Sequence, residues 1–238
     1  LILPNDGPVP RIGTVDIGGQ RLIVTQAGAG GQATDQDADG LPDDWERRVG
    51  LDPEASSGHN GADGDPDNDS VPNLQELAEG THPRGTAVRF LAEGANTPIF
   101  RQAIALLNPG ETSATVNLRF LRPDGPPLSH VLAIPSRTRR TVETHSIAGL
   151  EQAEFSTVVE SDALVVVDRT MSWDVASGYG AHAETAVAAP ASTWYLAEGA
   201  THSGFDLFYL LQNPSSVQAE VAVRYLRPSG HPLEKTYA

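Results

Sequence analysis

Apolar residues recur at every second position over much of this chain. Ala114, Val116, Leu118 and Phe120 alternate with polar neighbours, and Phe155, Thr157 and Val159 repeat the pattern, which predicts half-buried β-strands. Leu164 to Val167 is a short unbroken apolar run and predicts a strand covered on both faces. Asn108-Pro-Gly, Pro123-Asp-Gly-Pro-Pro127 and Ile134-Pro135 punctuate these stretches with turn residues. Near the amino terminus, Gly13–Ile17 and Gln20–Gln26 flank Gly18-Gly19, the pattern of a hairpin with a two-residue glycine turn. That register sets Val15 opposite Leu22 and Asp16 opposite Arg21, an apolar pair on one face and a charge pair on the other.

The strand pattern is also repeated at long range. Phe90-Leu-Ala-Glu-Gly-Ala95 returns as Tyr195-Leu-Ala-Glu-Gly-Ala200, and the same offset of 105 aligns Asn108-Pro109 with Asn213-Pro214 and Arg119–Pro123 with Arg224–Pro228. Across residues 90–128, 18 of 39 positions are identical without a gap, so one domain type is used in tandem. The fold class expected is mainly β: tandem immunoglobulin-like β-sandwiches joined by a small calcium-binding loop–helix module. The domains expected are 1–29, the hairpin of an incomplete sandwich; 30–85, the loop module; 86–192, the first repeat; and 193–238, the start of a second. Half a sandwich would leave an unpaired edge and an open apolar face, so either further chain or another protomer is expected to complete it. The chain begins at Leu1 without an initiator Met, and is expected to be part of a longer polypeptide.

Charge changes the picture between residues 31 and 80. Fourteen acidic residues face only Arg47 and Arg48 there, a net −12 of the chain's −15, and such a segment would stay unfolded unless a cation neutralised it. Its acids are ordered. Asp35, Asp37 and Asp39, then Gly40, the Leu41 carbonyl and Glu46 fall at positions 1, 3, 5, 6, 7 and 12 of a twelve-residue calcium loop. Asp65, Asp67, Asp69, the Val71 carbonyl and Glu76 repeat the spacing thirty residues on, with Ser70 in the glycine position. Alternate residues of a tight loop aim carboxylates at one centre, and a Glu one helical turn later closes the shell with two oxygens. Oxygen-only donors in a flexible shell favour Ca2+ over zinc, copper or magnesium, so two Ca2+ sites are expected. Short helices are expected over 42–49 and 72–79, stopped at Gly50 and Gly80, with Trp45 and Leu74 as apolar anchors. Asp52 and Asp63 are further candidates for the shells.

These loops, with Gly50-Leu-Asp-Pro53, Asn73-Leu-Gln-Glu76 and Gly80-Thr-His-Pro83, resemble the bacterial thrombospondin type 3-like calcium repeat over residues 33–83. The resemblance implies a rigid, calcium-ordered spacer between domains of secreted or surface proteins. Residues 88–238, with Tyr-Leu-Ala-Glu-Gly-Ala-Thr and Tyr-Leu-Arg-Pro-x-Gly, are similar to tandem β-sandwich repeats of large bacterial surface proteins. Residues 10–28 resemble the closing hairpin of a BACON-type domain.

The remaining chemistry is sparse. There is no cysteine, no apolar run long enough to cross a bilayer, and no nucleophile elbow, zinc-protease or phosphate-loop motif, so an enzyme is not expected. The acidic balance argues against a nucleic-acid partner. His182 and Glu184 have no distinctive spacing and read as a surface loop. Asp168, Arg169, Trp173, Asp174 and Tyr179 form the best candidate surface for a glycan, Trp194 reads as a wedge between domains, and Arg137, Arg139 and Arg140 as a small basic cluster. The function expected is a structural or adhesive, filament-capable segment of a large extracellular bacterial protein, whose partners are neighbouring copies or domains of the same protein. The alternative is a non-catalytic carbohydrate- or ligand-binding accessory region of a secreted hydrolase.

Overall fold

The computed structural model describes residues 11–17, 20–26, 34–175, 178–204, 206–215 and 217–237. The chain is mainly β. It divides into two compact units, Leu1–Ala189 and Pro190–Ala238.

The first unit begins with β1 (Arg11–Ile17) and β2 (Gln20–Gln26), antiparallel, with Val15 opposite Leu22 and Asp16 opposite Arg21 as the sequence predicts. The glycine turn between them lies outside the described residues. Two short helices follow, α1 (Asp43–Val49) and α2 (Asn73–Glu79). Then come β3 (Ala87–Leu91), β4 (Phe100–Asn108), β5 (Ala114–Leu121), β6 (Leu128–Ile134), β7 (Thr138–Glu143), β8 (Ser156–Ser161), β9 (Val166–Val175) and β10 (Gly178–Thr185).

These eight strands make two four-stranded antiparallel sheets in the orders β3-β8-β5-β6 and β10-β9-β4-β7. Between them lies one core. Val116, Leu118 and Phe120 on β5, Ile104 and Leu106 on β4, and Val159 on β8 are fully buried within it, each from alternate positions of its strand. The Phe120 and Phe155 rings meet edge to face at 5.2 Å.

The recurring motifs are corners of this core. A Cβ on Gly94 would lie 2.6 Å from the Phe155 ring, so the Ala-Glu-Gly-Ala step is closed to any larger residue, and the Gly94 carbonyl accepts the Phe155 N–H at 2.9 Å. Glu93, one residue earlier, takes the Arg169 guanidinium at 2.7 Å. Asn108 is fully buried; its amide donates to the carbonyls of Thr112 and Ile134, and its Oδ1 accepts the Gly110 N–H.

Two expectations are corrected. Leu164 to Val167 is not a doubly covered strand: Val165 and Val167 are buried while Leu164 and Val166 are 58% and 41% exposed. The sheet containing β9 has its other face open there, so the run obeys the two-residue period despite being apolar throughout. His182 and Glu184 are on strand β10 and not on a loop; Glu184 grips Arg169 at 2.8 Å, and His182 stands 3.6 Å from Glu93 and 5.9 Å from the Trp173 ring.

In the second unit, β11 (Val221–Tyr225) and β12 (Leu233–Tyr237) pair antiparallel. Their register is that of β5 and β6 shifted by 105: Val221 faces Tyr237 as Val116 faces Leu132, and Tyr225 faces Leu233 as Phe120 faces Leu128. Side-chain caps repeat as well. Asn213 donates to the Val217 carbonyl as Asn108 does to Thr112, and Arg227 donates to the His231 carbonyl as Arg122 does to Pro126. Over this hairpin the two units share pairing register and two side-chain hydrogen bonds.

Candidate metal centre

The acidic segment folds around a small core of its own. Leu41, Trp45, Val49 and Leu51 are buried together, with Leu74 and Leu77 of α2 packed against them. Each helix starts after a Pro (Pro42, Pro72) that presets the backbone at a position lacking an intrahelical partner. Each ends on a left-handed glycine, Gly50 at φ 78° and Gly80 at φ 71°.

The two acidic loops have nearly the same geometry. In the first, Asp39 N–H approaches Asp35 Oδ1 at 3.2 Å and Asp37 Oδ1 at 3.3 Å, Gly40 N–H donates to Asp35 Oδ2 at 3.0 Å, and Leu41 N–H to Asp39 Oδ1 at 2.8 Å. In the second, Asp69 meets Asp65 and Asp67 at 3.2 and 3.3 Å, Ser70 N–H donates to Asp65 at 3.0 Å, and Val71 N–H to Asp69 at 2.8 Å. One carboxylate oxygen from each of Asp35, Asp37 and Asp39 lies within 4.8 Å of the others, and the same holds for Asp65, Asp67 and Asp69.

The closing glutamates carry the strongest signal. Glu46 is 0% and Glu76 1% exposed, and both oxygens of both side chains are buried without a hydrogen-bond partner. Asp37 Oδ2 and Asp39 Oδ2 are buried and unpartnered too. Burial, reinforced by Asp39 and Asp37, pushes the Glu46 carboxyl up to about 7; burial, reinforced by Asp67 and Asp69 and opposed by the Thr81 hydroxyl, pushes Glu76 up to about 9. Asp39 and Asp67 are raised as well, again chiefly by burial. Carboxylate oxygens withdrawn from water and without a donor are an arrangement that a cation could satisfy. Asp35, Asp37, Asp39, Glu46, Asp65, Asp67, Asp69 and Glu76 fit Ca2+ by donor type, all being hard oxygens, with the Leu41 and Val71 carbonyls at position 7 of each loop.

Asp52 and Asp63 do not belong to either triplet; Asp52 Oδ1 accepts the Glu54 N–H at 3.1 Å, and Asp63 is exposed. Position 9 matters in a way the loop pattern alone does not reveal. Asp43 Oδ1 accepts Gln36 N–H and its Oδ2 takes Arg47, which together hold its carboxyl below the ordinary range. Its counterpart Asn73, fully buried, donates to the carbonyls of His59 and Gly61. Asp43 closes the first loop on itself, and Asn73 ties the second loop to the segment before it.

Ser70 adopts φ 74° where the first loop has Gly40 at φ 98°. A Cβ is strained there, so Ser70→Gly should stabilise the calcium-treated protein by about 1 kcal/mol, read from denaturant unfolding; an unchanged or lower stability would contradict the strain argument.

The second loop is fastened to the sandwich. Gly85 N–H, just before β3, donates to Asp67 Oδ2 at 2.8 Å. Asn117 of β5 and Ser129 of β6 both donate to the Gly80 carbonyl at 2.8 Å, and Arg84 reaches back to the Gly50 carbonyl at 2.8 Å. A Cβ on Gly80 would lie 2.6 Å from Ser129 Oγ, so the helix end sits directly against β6.

His82 is buried in this joint, 1% exposed, with its Nδ1 accepting the Arg84 N–H at 3.0 Å. Burial pushes its pKa down to about 4; Asp162 opposes the shift and Arg84 adds to it. The neutral ring is favoured only in the folded state, so its contribution is complete above about pH 6.5 and is lost as pH falls toward 4. Between pH 7 and pH 4 the stability advantage of the wild type over His82→Gln should shrink by about 3 kcal/mol in urea unfolding; a constant difference would contradict it.

No protein-family model matches the chain. No curated protein matches it either. Among solved structures, Thermotoga maritima 1070 is similar over 43% of this chain and 94% of its own, at 16% identity and a TM-score of 0.40. The Anabaena sensory rhodopsin transducer is similar over 34% of this chain and 90% of its own, at 24% identity and a TM-score of 0.31. Neither likeness bears on chemistry.

Proposed function

We propose that this chain is a structural or adhesive segment of a large extracellular or cell-surface bacterial protein, in which two Ca2+ ions stiffen the joint between β-domains. The observation that carries this reading is the pair of buried glutamates, Glu46 and Glu76, whose four carboxylate oxygens have no donor. Ca2+ in each loop would give those oxygens a partner and offset part of the −12 charge of residues 31–80. The hydrogen bonds from Gly85 to Asp67 and from Asn117 and Ser129 to Gly80 would then pass loop order to the sandwich. The sandwich itself reads as immunoglobulin-like, and the repeat as one module of an array.

Residual dipolar couplings collected with calcium and with chelator test the joint. Residues 34–85 and 87–185 should share one alignment tensor with calcium and need two without it; two tensors in both conditions would sink the reading.

A glycan-binding accessory region is less well supported. Trp173 lies across from Gly180, where a Cβ would come within 2.3 Å of its ring, and it meets Phe100 edge to face at 6.1 Å. That ring is engaged in the sheet, which leaves Tyr179 as the exposed aromatic of the candidate surface.

A further inference from the structure

Residues 59–64 touch both acidic loops. Toward the first loop, Asp37 and Asp39 share a cleft of about 610 Å3 with Ser56, Gly61, Ala62 and Gly64. The Ala62 backbone N–H stands beside the Asp39 carboxylate and counteracts part of its burial. Both aspartates on this cleft carry a buried Oδ2 without a hydrogen-bond partner. Toward the second loop, the Gly64 carbonyl accepts the Asn73 N–H at 2.8 Å and the Ala62 carbonyl accepts the Leu74 N–H at 3.0 Å. Ala62 therefore turns its N–H to one loop and its carbonyl to the helix of the other. The turn has little room to adjust, since a Cβ on Gly61 would lie 2.4 Å from the Ser56 carbonyl oxygen.

Asn73 fastens this turn from the far side. It holds position 9 of the second loop, at the start of α2, and is fully buried. Its Nδ2 donates to the carbonyls of His59 at 2.9 Å and Gly61 at 2.8 Å, and its Oδ1 is buried without a hydrogen-bond partner. The two ends of one amide are thus divided, the donors committed to the turn and the acceptor left over. Asp43, the position-9 residue of the first loop, has no donor to offer and is bonded within its own loop and helix, to Gln36 and Arg47. The tie runs from the second loop to the first and has no return.

We propose that Asn73, though it lies in the second loop, is a positioning residue for the first Ca2+ site: its Nδ2 holds the 59–64 turn against Asp37 and Asp39, and its Oδ1 is left for the second ion's shell. This rests on the calcium reading above. Groups that fix the direction of metal ligands from behind govern affinity without touching the ion, and their loss weakens binding by about 10- to 100-fold. Aspartate at this position would keep an oxygen for the second site and lose both donors to the turn. Alanine would lose both functions.

Calorimetric titration of the full chain with Ca2+ separates the sites, because the ion that remains in Glu76→Gln is the first and the ion that remains in Glu46→Gln is the second. Asn73→Asp should weaken first-site binding by about 10-fold or more and leave second-site binding at least as tight, whereas Asn73→Ala should weaken both. Gly61→Ala, which alters no polar side chain, should repeat the selective loss at the first site. Slow amide exchange on β5 reports that the sandwich is folded in each variant, and if Asn73→Asp does not fold, Gly61→Ala decides. Unchanged first-site affinity, or equal losses at the two sites in Asn73→Asp, would overturn the proposal and leave the two-ion reading standing. No uptake by the wild type would remove the calcium reading and this proposal with it.

Discussion

Glu76→Gln should move stability in opposite directions depending on calcium. In chelator the variant should be more stable than the wild type by a few kcal/mol, because it removes a carboxylate that is 1% exposed and has no donor for either oxygen. In calcium the variant should be the less stable of the two, because an amide cannot supply the two charged oxygens that close the shell. Glu46→Gln should behave alike at the first loop, where the carboxylate is 0% exposed. Thermal unfolding in both conditions gives the four values needed, and a loss of stability in chelator would mean that the buried acid has a partner within the protein.

The second large effect is expected at Arg169. This residue is 1% exposed in the middle of β9 and binds Glu93 at 2.7 Å and Glu184 at 2.8 Å through separate guanidinium nitrogens. Removing it should cost about 3–5 kcal/mol in Arg169→Ala, through the lost fork between Glu93 after β3 and Glu184 of β10 and the space it leaves. Arg169→Lys should recover only part of this, since a single ammonium cannot present two nitrogens to two carboxylates in fixed directions. Glu184→Gln should cost under about 1 kcal/mol because that side chain is 54% exposed. Denaturant unfolding of the three variants orders them, and an Arg169→Ala chain as stable as wild type would dismiss the network.

Much of this was legible beforehand, for identifiable reasons. Ala114 to Phe120 obey a two-residue period because β5 has one face on the core, and the loop acids are legible because alternate residues of a tight turn bring their carboxylates together. The helix limits followed from Pro42, Pro72, Gly50 and Gly80, local signals that no distant contact overrides. What escaped was long-range. Arg169 reads as one charge beside Asp168, and nothing in the chain announces that β9 carries it to Glu93, 76 residues away. Leu164 and Val166 were misplaced because an apolar run does not say which of its faces meets solvent. The roles of Asp43 and Asn73 lie in hydrogen bonds, to Gln36 within the first loop and to His59 and Gly61 before the second, that their spacing does not announce.

The proposal that the buried carboxylates hold calcium rests on Glu46 and Glu76. Isothermal titration of the chelated protein with Ca2+ tests it most directly. Two ions should bind per chain, the second lost in Glu76→Gln and the first in Glu46→Gln. Heat no greater than that of dilution, or uptake unaffected by either substitution, would contradict it.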